Sequence, residues 1–130
     1  MTRSESREQA FIINFEAQFS KDSVDEIIML ASEMREFKAS SFATDLIHYT
    51  DEHRQDINDV IGTYAKKWDT KRISKVSLSV LQLAIGEIML FDDIPVSVTI
   101  NEAVELCKKY ATQDDASFVN GILSTVAKAL

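Results

Sequence analysis

Residues 74–90 read SKVSLSVLQLAIGEIML, and their apolar positions nearly encircle a helix. Val76, Leu78, Val80, Leu81, Leu83, Ala84, Ile85, Ile88 and Met89 leave few polar sides, the mark of a helix covered by neighbours rather than laid on a surface. The following Asp92-Asp93-Ile94-Pro95 ends it, because proline disfavours helix at the residue before it.

The flanking segments have helical periodicity on one face only. Before the central helix, residues 3–19 place Ala10, Phe11, Ile12, Phe15 and Phe19 on one side, with Arg3, Arg7 and Asn14 on another. A second helix starts at Ser23, which makes a capping-box signature with Glu26, and carries Val24, Ile27, Ile28, Ala31 and Met34. A third begins near Ser40 or Ser41 and runs through Tyr64, with a possible break near His53. After the proline, residues 97–111 bury Ile100, Ala103, Val104, Cys107 and Tyr110, and a last helix opens at Asp114 or Asp115 with Phe118, Val119, Ile122, Leu123, Val126 and Leu130 as its stripe. Asn120-Gly121 is a hairpin cue, but the helical spacing continues on both sides and decides for helix. Gly86 and Gly121 inside apolar helices point to close helix–helix approach.

The 130 residues suffice for one domain with a sizeable core. Three Gly and one Pro are too few for the many tight turns of a β-sandwich or barrel. The expected fold is therefore all-α, with six to seven helices. The single Cys107 excludes an intrachain disulfide and suits a reducing compartment. No apolar run reaches the roughly 20 residues of a membrane span, and MTRSESREQ lacks the apolar core of a secretory signal, so the expected location is the cytoplasm, with no membrane partner. A Gly-rich phosphate loop, metal-ligand spacing and a nucleophile with a base are all missing, so neither enzyme, metal site nor cofactor is expected. His48 and His53 are five apart rather than the four that puts two ligands on one helix face.

A net charge of −7 opposes nucleic-acid binding when taken as a sum. Its distribution is less hostile: residues 66–75, KKWDTKRISK, hold five cations against one anion. Trp68 in that run is either a stacking residue or a loop aromatic that covers the core.

Four strings in order resemble the NusB family of transcription antitermination factors. Residues 3–10 resemble its basic opening, residues 81–88 (LQLAIGEI) its central helix, residues 94–110 (IPVSVTINEAVELCKKY) its proline turn and INEAVELAK helix, and residues 117–123 (SFVNGIL) its FVNG helix. The resemblance spans essentially the whole chain and implies two packed three-helix bundles, divided near residues 1–72 and 73–130. It implies binding of boxA-type single-stranded RNA together with the ribosomal protein NusE, within the RNA polymerase antitermination complex. The alternative is a protein-interaction module with little RNA binding of its own, and the stripes do not separate a monomer core from a homodimer seam.

Carried over position by position, the resemblance implies an RNA site at Arg3, Arg7, Phe15, Lys75, Asp114 and Phe118. Arginines suit phosphate through their planar fork, an aromatic ring stacks on an unpaired base, and the acid accepts from base amino groups. Phe11 and Cys107 read more simply as core, Phe15 and Phe118 as either core or ligand-facing. Asn101, Glu102 and Glu87 read as hydrogen-bonding residues at the junction of the two halves. Five positions depart from the family pattern: Gln82 stands for an Arg, Gly86 for a Tyr, Ser77 for an acid, Ser117 for a Lys and Asn14 for an apolar residue. Lys71, Arg72 and Lys75 are expected to restore the cation missing at 82.

Overall fold

The computed structural model describes residues 1–35, 37–65 and 73–130. These form seven helices and no strand: α1 (Arg3–Ala17), α2 (Val24–Met34), α3 (Ser41–Glu52), α4 (Arg54–Tyr64), α5 (Lys75–Leu90), α6 (Val96–Tyr110) and α7 (Gln113–Ala129). Trp68, Lys71 and Arg72 lie outside the described residues.

The break near His53 is real. His53 leaves helical geometry at φ −106°, ψ 18°, its ring nitrogen sits 3.0 Å from the Tyr49 carbonyl, and its ring stacks on Tyr49. Ser40, Ser74 and Ser23 cap α3, α5 and α2 by accepting from the backbone N–H three residues on. At α7 the cap is Thr112 rather than Asp114 or Asp115. Asp115 supplies the reciprocal half of a capping box from the third helical position, so the stronger box overrides a lone acidic cap.

α5 is the centre, as its all-round apolar pattern requires. It packs against α1, α3, α4, α6 and α7, and its residues 79–87 are buried without interruption. α6 and α7 form the closest pair, while α2 lies at the edge against α1 and α3. Direction follows from the side-chain pairs. Ser4 meets Glu102, Glu8 meets Lys109 and Phe11 meets Tyr110, so α1 and α6 run side by side in the same sense. Arg7 meets Glu87 and Asn14 meets Ser79, so α1 and α5 run in opposite senses.

The two glycines separate. A Cβ at Gly86 would lie 2.5 Å from Thr50 Oγ1, so close approach of α5 to α3 requires glycine there. Gly121 is exposed, with nothing within 4 Å of a built Cβ, which corrects the expectation of close packing at that position. Four stripe residues also face out, Tyr110 at the end of α6 among them. Phe19 lies beyond the end of α1 and is 65% exposed, and Met34 and Leu130 sit at the exposed ends of α2 and the chain.

The departures at 14 and 82 belong to one buried network. Gln82 Oε1 accepts from Arg54 Nη1 (2.9 Å), Gln18 Nε2 (2.6 Å) and Asn14 Nδ2 (3.2 Å), while Arg54 Nη2 donates to Asn14 Oδ1 (2.8 Å). Among the described residues, the cation that reaches Gln82 is therefore Arg54, from α4. Each buried amide is satisfied by a partner on another helix, as burial demands.

Candidate nucleic-acid interface

α1 carries two different sites along its length. At its start, the Arg3 guanidinium lies 4.2 Å over the Phe42 ring, which stacks on Phe91 at 5.0 Å. Arg3 is exposed and has no ion-pair partner among the described residues. One turn on, Arg7 is only 5% exposed. Its Nε and Nη2 donate to the two carboxylate oxygens of buried Glu87, and its Nη1 lies 3.8 Å from Glu102. Thr99 donates to the same Glu87 carboxylate. The reading of Arg7 as a phosphate contact is thus corrected: its fork is spent inside the protein, tying α1 to α5. Glu87 and Glu102 order the junction as expected, whereas Asn101 is exposed.

Farther along, the C-terminal half of α1, the first turn of α5 and the last turn of α6 meet in a groove of about 450 Å³, lined by Phe11, Ile12, Phe15, Glu16, Val76 and Tyr110. Its floor is aromatic. Tyr110 and Phe11 have ring centroids 4.9 Å apart, Phe11 and Phe15 5.8 Å, and Phe15 and Phe19 5.1 Å. Phe11 is buried as core, and Phe15 is half-buried with one side on the groove.

Lys75, next to Val76, is exposed as the first residue of α5, whose opening turn holds no acid. The partial positive charge of that helix end is therefore not neutralised from within its own first turn. Two residues beyond Tyr110 the chain reaches Thr112 and α7, with Asp114 exposed in the first turn and Phe118 half-buried against the core.

The structure brings Phe15 and the helix turn of Lys75 to one groove, and the chain leaves that groove at Tyr110 to enter the helix of Asp114 and Phe118. Arg3 stands apart, twelve residues before Phe15 and so about 18 Å away along α1. The carboxylates of Glu8, Glu102 and Glu105 line a second, smaller pocket along the α1–α6 seam between them.

Sequence reasoning missed Tyr110, which it assigned to the buried side of α6. Tyr110 is the last residue of its helix, where the stripe outlives the neighbour that would cover it. Burial, the nearby Glu8 carboxylate and a hydrogen bond to it raise the pKa of its phenol. Among the described residues no cluster of His, Cys, Asp and Glu is arranged to hold a metal ion, and no helix is long and apolar enough to cross a membrane.

Comparison with known proteins agrees with this architecture. The NusB family profile matches residues 4–128. The chain is 39% identical to the transcription antitermination protein NusB of Natranaerobius thermophilus, over 100% of this chain and 97% of that protein. It is 42% identical to the protein of the same description from Geobacter sulfurreducens, over 81% and 76% of the two chains. Its fold superposes on T. maritima NusB with a TM-score of 0.84 at 34% identity, covering 98% of this chain and 92% of that one. It also superposes on a chain from the complex of antitermination factors NusB and NusE with dsRNA, with a TM-score of 0.86 at 24% identity over the full length of both. The chain belongs to the NusB family.

Proposed function

We propose that this protein is a cytoplasmic transcription antitermination factor that acts without catalysis, by holding a boxA-like single-stranded RNA together with the ribosomal protein NusE. The observation that carries the RNA reading is the groove. It combines an aromatic floor open to solvent with a lysine and an acid-free first helix turn beside it, and its residue Tyr110 leads along the chain to α7. Stacking on such rings is worth about 1–3 kcal/mol per base, and it requires unpaired bases, which favours a single strand. Phe15, Lys75, Asp114 and Phe118 make up the main site, and Arg3 is a phosphate contact for a strand long enough to reach the other end of α1. Relatives named transcription antitermination protein support the antitermination reading.

The protein partner has its own surface to suit it. Asp45, Asp51, Glu52, Asp56 and Asp59 are all exposed on α3 and α4. Such a field repels a polyanion and attracts a basic protein. In the proposed division into residues 1–72 and 73–130, the acidic surface lies in the first unit and the groove is shared by both.

The test is a fluorescence titration of a labelled boxA-like RNA against a scrambled RNA, with and without NusE. Preference for the boxA-like strand, strengthened by NusE and weakened by salt, is expected. NusE binding with no RNA contribution would leave only the protein-interaction module.

A further inference from the structure

Two cations near the groove are not marked by the sequence pattern: Arg35 pairs with a groove residue, and Lys109 lines the neighbouring pocket with Glu8, Glu102 and Glu105. Arg35, the C-cap residue of α2, places its Nη2 2.9 Å from Glu16, which lines the groove. On the other side, Lys109 Nζ lies 2.6 Å from Glu8 and 5.5 Å from the centroid of the groove residue Tyr110. Glu8 and Glu16 stand eight residues apart on α1, about 12 Å along the helix, and each holds a cation from a different neighbouring helix. Phe15 falls between Glu8 and Glu16 along α1, and Lys75 stands at the start of α5 beside the groove residue Val76.

We propose that Arg35 and Lys109 are phosphate contacts of the bound RNA strand, held in reserve by Glu16 and Glu8. This rests on the reading of the groove as the RNA site. The cations of both pairs are more than half exposed and their carboxylates about a third, and pairs this open to water contribute little to stability. Exchange of a carboxylate for a phosphate therefore meets a low barrier. A guanidinium gains from the exchange, because a phosphate accepts its fork at two points. The carboxylates hold both cations extended beside the groove and balance their charge when no strand is present. Three cations from α2, α5 and α6 then surround one aromatic floor, and the strand lies across α1 rather than only along it.

The experiment measures affinity for a labelled boxA-like RNA strand as a function of salt, in wild type and in Arg35→Gln, Lys109→Gln, Glu16→Gln and Glu8→Gln. Lys128→Gln, at the far end of α7, is the control, and thermal melts check that each variant folds. Each cation variant is expected to weaken binding and to flatten the log–log salt dependence by about 0.7, the increment for one phosphate on a single strand. The two glutamate variants are expected to bind more tightly than wild type, because each frees a cation. Wild-type binding with unchanged slopes in both cation variants overturns this inference and leaves the RNA site standing. Weaker binding in the glutamate variants also overturns it, since a groove that needs its carboxylates takes a cationic occupant such as a basic protein segment. No binding by wild type overturns both readings.

Discussion

Arg7 and Glu87 form a two-point ion pair inside the protein, with Nε to Oε1 at 2.7 Å and Nη2 to Oε2 at 3.0 Å. Both side chains are nearly sealed from water. A pair in this setting adds little over two apolar residues of similar shape, but removing one partner strands a buried charge at a cost of about 3–5 kcal/mol.

Arg7→Ala is therefore expected to act on stability. Thermal unfolding should show a fall in Tm of roughly 10 °C or more. The double variant Arg7→Met with Glu87→Leu should recover most of it. An Arg7→Ala protein as stable as wild type would contradict the buried pair.

Gly86 and Gly121 should respond with opposite signs to the same substitution. Gly86→Ala drives a Cβ onto Thr50 Oγ1 and is expected to destabilise by about 1–3 kcal/mol. Adding Thr50→Ala removes the clashing atom, leaving the Thr50 Cβ at an ordinary 3.6 Å, and should restore much of the loss. Gly121→Ala meets open space in an exposed helix and should stabilise by up to about 1 kcal/mol. Urea unfolding midpoints separate the three cases.

Cys107 is buried, and burial pushes its thiol up to about 12, whereas the unfolded chain's thiol ionises near 9.0. Stability from the protonated thiol is whole below pH 9 and is lost as pH rises from there towards 12. At pH 8 a thiol reagent should label Cys107 only at the rate of unfolding, and immediately in denaturant. Fast labelling of the folded protein would show an exposed thiolate.

Phe15→Ala is expected to weaken RNA binding by about 10- to 100-fold, the loss of one stacked base. Arg3→Gln should weaken a long strand but not one too short to span the roughly 18 Å between Arg3 and Phe15. Titration with RNAs of two lengths tests both. Equal loss on both lengths would place Arg3 within reach of the groove.

The fold was legible wherever periodicity and local capping decide. The all-round apolar pattern of residues 74–90 identified the central helix, and Ser23 marked its helix start. Asn120-Gly121 lay in α7 as its spacing indicated. What failed depends on neighbours distant in sequence. Arg7 has the same local pattern as Arg3, and only the return of α5 and α6 places Glu87 and Glu102 beside it. The exposure of Tyr110 and Phe19 follows from where α6 and α1 end, and Arg54 fills the place near Gln82 because α4 crosses there. Of the proposed site, the family resemblance named single residues such as Phe15, while the groove that Phe15 lines is tertiary.

Isotope-labelled protein titrated with a boxA-like strand shows by NMR where the RNA lies. Shifts concentrated at Phe15, Val76, Tyr110 and the first turns of α7, with the α3–α4 surface silent, are the predicted result. Shifts confined to Arg3, Phe42 and Phe91, or spread over the acidic residues of α3 and α4, would contradict it.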